Sequence, residues 1–549
     1  MKYIMITLLF SFTVLTAETY YLDKEAGNDD NNGTSEGAAW KNVSLIKNKS
    51  LDPGDQVLLK RGQSWDDVLN ISSDGEDGQP IIFGAYGSGE KPEIYGMDIS
   101  GDYIIVENLL IDHKKDDSDC VELSRSENLI LRNLTIQNGL RDGIDGNRAD
   151  NILIEGCTIR HFLNGSFSSQ ADAHGIVLTN TIGMTILNTE IYQVSGDCVQ
   201  TDPDRDTLPT PDSLWIENCH FWTGPLIEDF NSGWKTGDIP GENALDTKLV
   251  KDDWDAIDRM QITIKNTIAH GWKDGNISNM AAFNLKEKIE ATLDGVTVYD
   301  CEIAFRLRGT RGNANVTIMN TVVYECEKAF RVENDVANLK LYNSTFGANI
   351  DEFFKEADSE NNRETWEILN NAFLAPKPAE AQHSSNKEAL PSDFENSDGN
   401  EYQLSEGSSL IDQGIEVALV QTDRDGTLRP QGKGYDIGAY EFEGEPTLIS
   451  ADGFIGPEEI SLKQNYPNPF NPETTIEFNI ATPGAVTLAI YSSTGQLVRR
   501  LINSSFLPGV YSVKWDGKNI FGNKVAGGMY HYRLDSAGKS QTKKMLLIP

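Results

Sequence analysis

A chain of 549 residues is longer than one ordinary hydrophobic core accommodates, so several domains or one long repeat are expected. Its 84 acidic and 47 basic side chains leave a net charge of -37, a field that repels nucleic acid and draws cations. A nucleic-acid partner is excluded on that ground, and a polyanionic substrate would need local cations or a bound metal to hold it.

The chain starts MKYIMITLLFSFTVLTA: Lys2, an apolar run from Ile4 to Leu15, then the small residues Thr16 and Ala17. This pattern describes a secretory signal peptide over residues 1–17. The run is shorter than the ~20 residues a bilayer needs, and no later segment is apolar enough to span one. An exported chain is expected, secreted or attached at the cell surface, and monomeric.

Residues 18–100 carry TYYLDKEAGNDDNNG, LDPGDQVLLKRGQSWDDVLNIS and GQPIIFGAYGSGEKPEIYG, short apolar stretches separated by Asn, Asp and Gly. From Asn108 to Ala375 the chain then repeats itself, as in NLILRNLTIQN (128–138), NILIEGCTIRH (151–161), SLWIENCHFWT (213–223) and NVTIMNTVVYE (315–325). Each unit reads as an alternating strand, a polar bend and a second strand, so each strand buries one face. The bends are placed at Asn133, Glu155, Asn188, Asn218, Asn266, Asp294, Asn320 and Asn343, at spacings of roughly 22 to 33 residues with one longer gap. Strands at that period with no helical pattern mean a solenoid whose coils bury each other. The longer gap, between Asn218 and Asn266, contains ENALDTK and is expected to hide one more coil. Six cysteines (Cys120, Cys157, Cys198, Cys219, Cys301 and Cys326) sit at strand positions without CxxC spacing, which favours buried thiols over disulfides.

After a linker over residues 444–460 come NYPNPFNPETTIEFNI, VTLAIYSSTGQLVRRL and LPGVYSVKWDGKN, period-2 strands joined by TG, PG and DG turns. They predict a small β-sandwich over residues 461–549.

The opening phrases, LDPGDQVLLKRG above all, together with LSEGSSLIDQG (404–414) and DRDGTLRPQGKGYDIGAYEF (423–442), resemble the pectate-lyase-like β-helix superfamily. That resemblance covers residues 19–443 and implies an all-β fold, a right-handed parallel β-helix over 18–443 followed by the C-terminal β-sandwich. The YPNPFNP phrase and terminal strand are similar to the sorting domain of type IX secretion, which implies that machinery as a partner.

In such a coil stack, residues at one strand position form a column along the axis. Aligning DCVEL, DGIDG, HGIVL, DCVQT, NALDT, AFNLK, AFRLR and AFRVE gives an outward column Glu122, Asp145, Val177, Gln200, Asp246, Asn284, Arg306, Arg331. Two residues on runs Ser124, Asn147, Thr179, Asp202, Lys248, Lys286, Arg308, Glu333. Carboxylates dominate early coils and cations late ones, a segregation that ordinary surface solvation does not require.

The acidic side, Asp197, Asp202 and Asp246, offers oxygens to Ca2+. Lys286, Arg306, Arg308 and Arg331 suit the carboxylates of an acidic polysaccharide, and His174, at a strand start, is a further substrate contact. The reaction suggested is β-elimination from a uronate polymer, in which cations stabilise charge developing on the carboxylate. Lys248, at the junction, is the expected base, its pKa lowered by Lys286, Arg306, Arg308 and the metal. Family 9 polysaccharide lyases, the nearest resemblance, pair an aspartate cluster for Ca2+ with a lysine base on a neighbouring coil. DGID (142–145) or GDCVQTD (196–202) is similar to that cluster. Two alternatives remain open: a glycoside hydrolase using Asp197 and Asp246 as facing carboxylates, and a non-catalytic glycan-binding surface protein.

Overall fold

The computed structural model describes residues 17–201, 212–248, 257–357, 365–442 and 460–548, apart from 483, 493–496, 507, 508, 516, 519–523 and 537. The expected signal peptide and linker lie almost wholly outside the described residues. Among those described, no helix is long and apolar enough to cross a membrane.

The repeat region folds as a right-handed parallel β-helix. Each coil gives one strand to a 13-stranded sheet and one long or two short strands to a 20-stranded sheet, neighbouring coils pairing in parallel. Inward positions stack in register. Leu131, Ile154, Ile186, Ile216, Ile264, Leu293, Ile318 and Leu341 form one fully buried column through eight successive coils. A second column stacks Phe283 on Phe305 at 5.7 Å and Phe305 on Phe330 at 5.3 Å between ring centroids. No coil closes a core alone; each apolar face is covered by its neighbours.

The turn after each strand of the first sheet needs one residue with positive φ, and this explains the asparagine punctuation. Asn133, Asn188, Asn218, Asn266, Asn320 and Asn343 all adopt φ between 41° and 54°, a conformation asparagine tolerates better than most residues. In two coils the bend lies one residue later than predicted. Gly156 and Gly295 (φ 64° and 70°), not Glu155 and Asp294, turn the chain, because glycine takes a left-handed conformation without a Cβ penalty.

The additional coil expected between Asn218 and Asn266 is absent. Ser213–Glu217 pairs directly with Met260–Lys265 in the first sheet, and Asn243–Asp246 is the last strand of the coil that His220–Trp222 belongs to. The extra length is an excursion from that coil, in which the fully buried Trp234 packs with Leu226, Phe230 and Leu163. All six cysteines are buried free thiols.

Past the last coil, residues up to 442 run back along the bends of the late coils, bonding to Val296, Asn320, Asn343 and Asn370, and hold a fully buried Arg429–Glu441 ion pair at 2.9 Å. The C-terminal domain is an antiparallel sandwich. A three-stranded sheet (Ser461–Leu462, Thr474–Ile480, Gly509–Trp515) and a four-stranded sheet (Gly484–Ser492, Leu497–Phe506, Gly528–Ser536, Lys539–Leu547) share a core that includes Phe478, Ile490, Trp515 and Tyr532.

Candidate active site

The outward column read from the sequence is realised by backbone register. Asp98, Glu122, Asp145, Val177, Gln200, Asp246, Asn284, Arg306, Arg331 and Lys355 are successive partners along the second sheet. Burial first, then the charges of Asp119, Asp142 and Glu122, push the Asp145 carboxyl up to about 7, so the early end is a crowd of carboxylates that repel one another.

The cationic end is organised around anions that the sequence reading had not used. Arg306, Arg308 and Arg331 all converge on Glu333, with guanidinium-to-carboxylate distances of 2.8, 3.2 and 2.7 Å. Burial would raise the Glu333 carboxyl, but hydrogen bonds from Arg306 and Arg331 and the arginine charges hold it below its ordinary value. Three guanidiniums on one carboxylate keep a local excess of positive charge. Beside them a cavity of about 420 Å³ is lined by Lys286, Glu287, Arg308, Thr310 and Arg311.

Two lysines stand at the junction of acidic and basic halves, and one device places both. The Thr201 hydroxyl accepts from Lys248 N at 2.8 Å and donates to Lys248 O at 2.9 Å; Thr247 does the same for Lys286, at 2.8 and 2.9 Å. Lys286 Nζ lies 2.9 Å from the Asp246 carboxylate. Lys248 Nζ donates to Gln200 Oε1 and lies 4.0 Å from Asp246 Oδ2. The cations expected to crowd Lys248 are thus each engaged by a carboxylate, Lys286 by Asp246 and the arginines by Glu333. Lys248 itself faces a neutral amide, with its head partly exposed to solvent.

Behind this column runs a polar ladder, Asp119, Asp142, His174 and Asp197 two residues ahead of their strands and Asn243 at the start of its own, the last three of the five buried. Asp142 Oδ1 accepts from His174 N at 2.7 Å and contacts His174 Nδ1 at 3.0 Å. Asn243 Nδ2 donates to Asp197 Oδ1 at 2.7 Å. His174 Nε2 and Asp197 Oδ2 are 3.8 Å apart, and neither has a hydrogen-bond partner. Burial would lower the His174 pKa, but the Asp142 bond and the Asp197 and Asp142 charges raise it to about 9. Burial, then the Asp246 charge, raises the Asp197 carboxyl far above its usual range despite His174 and Asn243. His174 is therefore an imidazolium at neutral pH, clamped behind the groove.

These placements bear on the candidate ligands. Asp197 is fully buried and belongs to the ladder, so it does not face Asp246 across an open cleft. Asp197 Oδ2 is buried without a hydrogen-bond partner, and the Asp246 carboxylate lies 2.9 Å from Lys286 Nζ. Asp202 lies outside the described residues. Among the described residues no three His, Cys, Asp or Glu side chains converge on one point. Trp234 and Trp272 are fully buried and Trp222 is half-buried, while Trp254 lies outside the described residues.

Comparison with known proteins agrees with this architecture. Residues 95–225 match the family described as right handed beta helix region, and residues 470–540 the FlgD Ig-like domain. The matched region lies within the parallel β-helix described above. Among solved structures, the pectate lyase Pel9A aligns at 15% identity over 78% of this chain and 97% of its own, with a TM-score of 0.42. A rhamnogalacturonan lyase aligns at 13% identity over 69% and 91%, with a TM-score of 0.43. The lacto-N-biosidase of Bifidobacterium longum subsp. longum is 37% identical over 95 residues, 16% of this chain. The chain spans only 6% of that relative's length.

Proposed function

We propose that the protein is an exported polysaccharide lyase that cleaves a uronate-containing polymer by β-elimination, with Lys248 as the base. The observation that carries this reading is the junction itself. The partly exposed amine of Lys248, whose backbone is held by Thr201, lies one coil from Lys286 and within the same groove as Arg306, Arg308 and Arg331. A pectate-like or alginate-like chain lying along the groove would place a sugar carboxylate against those cations. Holding that carboxylate stabilises the negative charge that develops when the adjacent proton leaves. Lys248 Nζ takes that proton from the carbon bearing the carboxylate. The electron pair forms a double bond to the neighbouring ring carbon as its bond to the glycosidic oxygen breaks, and the departing oxygen takes a proton from solvent. His174 supports the site from behind, and no step here runs through calcium. The terminal sandwich, with its YPNPFNP phrase, would serve as the address for the type IX secretion machinery.

The test is to incubate the purified chain with polygalacturonate and with alginate and follow ultraviolet absorbance from the new double bond. Elimination with Lys248 as base predicts absorbance from the wild type and at least a hundredfold slower rise for Lys248→Ala. Reducing ends without absorbance would indicate hydrolysis instead, and retention of unchanged polymer would indicate a binding surface.

A further inference from the structure

On a different stretch of the second sheet, outward rings from successive coils stack along the axis. Tyr192 lies on Trp222 at 4.3 Å, and His270 lies on Tyr299 at 4.4 Å, each pair within 10° of parallel. Trp222 and His270 are 3° from parallel at 6.1 Å. Beside this row stands His220, which is backbone partner to Glu190 on the preceding coil. His220 Nε2 and His270 Nε2 approach to 3.0 Å. We propose that His220 and His270 form a binding site for a divalent first-row transition metal ion, copper(II) or nickel(II) above all, clipping two adjacent coils and leaving further coordination positions open to solvent.

The geometry supports this in three ways. With metal–nitrogen bonds of about 2.0–2.1 Å, two nitrogens 3.0 Å apart subtend roughly 90–100° at the metal, the angle of neighbouring positions in a tetragonal site. The second nitrogen of His220 faces Glu190 Oε1 at 3.4 Å, which puts the ring proton on Nδ1 and leaves Nε2 its lone pair. Glu190 is itself anchored by Trp222 Nε1 at 2.9 Å. His270 is held in orientation by the Tyr299 ring, so little side-chain freedom is left to lose on binding. His220 is 39% exposed at its side chain, so an ion reaches the pair from solvent.

The proposal is independent of the lyase reading, and its test needs no substrate. Untagged full-length protein is titrated with copper(II) and with nickel(II) by calorimetry, and the copper complex is read by electron paramagnetic resonance. One strong site is expected, with hyperfine coupling to two imidazole nitrogens. His220→Ala and His270→Ala should each weaken that site at least tenfold and leave one nitrogen coupling. Glu190→Gln should weaken it about tenfold by releasing the ring orientation. Unchanged melting curves in metal-free buffer confirm that the variants are folded; should either alanine variant melt early, His220→Asn and His270→Asn take its place. Absence of binding in the wild type overturns the proposal, as does an affinity and spectrum unaltered by the two histidine substitutions.

Discussion

Replacing Asp142 by Asn probes the ladder behind the groove at the residue that does most to charge it. In the native protein the His174 ring, almost fully buried, bonds to Asp142 Oδ1 at 3.0 Å and faces Asp197 at 3.8 Å. Burial alone would favour the neutral ring; these carboxyls outweigh it and raise the pKa to about 9. A rise from the ordinary 6.5 to about 9 represents on the order of 3 kcal/mol of preference for the imidazolium. Because the folded value lies above the unfolded one, that stabilisation is complete below about pH 6.5 and is lost as pH climbs through 9. Asparagine keeps the shape and removes one of the two facing charges, so the His174 pKa should fall from about 9 toward the ordinary value while Asp197 keeps part of the rise. The assay is nuclear magnetic resonance titration of protein with nitrogen-labelled histidine, the His174 signal assigned by its loss in His174→Gln. A His174 signal that titrates near 6.5 in the wild type, or that stays near 9 in Asp142→Asn, would refute the reasoning.

Three further expectations concern the scaffold. Glu441→Ala leaves the Arg429 guanidinium buried without its partner and should cost about 3–5 kcal/mol, read as a lowered denaturant midpoint. Phe305→Ala removes the middle ring of a buried stack between Phe283 and Phe330 and should cost a similar 3–5 kcal/mol, or about 2 if neighbouring coils close the gap. At the exposed bend residue Asn188, with φ 49°, alanine should cost about 1–2 kcal/mol while glycine is nearly neutral, a contrast that thermal melts of the pair resolve.

The positions where the sequence misled share a physical cause. Glu155 and Asp294 looked like bends because a polar residue stood where asparagine stood elsewhere, but the turn selects for backbone conformation, and the glycines next to them supply it. ENALDTK looked like a coil because it is a strand; only its pairing partners reveal that it finishes a coil already begun. In the site, the first letters of the aligned strands, Asp119, Asp142, His174, Asp197 and Asn243, were visible as a column, but nothing in the letters says that its last three members are buried or that its members bond to one another. Glu333 was likewise in view, and its hold on three arginines was not.

By itself the sequence determined the solenoid, its turns, its inward apolar columns and the segregation of carboxylates from cations along the groove. Those features are periodic, and a period of one coil converts spacing along the chain into stacking in space. Tertiary structure decided which charged groups neutralise one another. Lys286 was drawn to Asp246, the arginines to Glu333 and His174 to Asp142, leaving Lys248 beside Gln200. Such pairings depend on side-chain direction and distances of a few ångströms between coils, and these exist only once the coils are stacked.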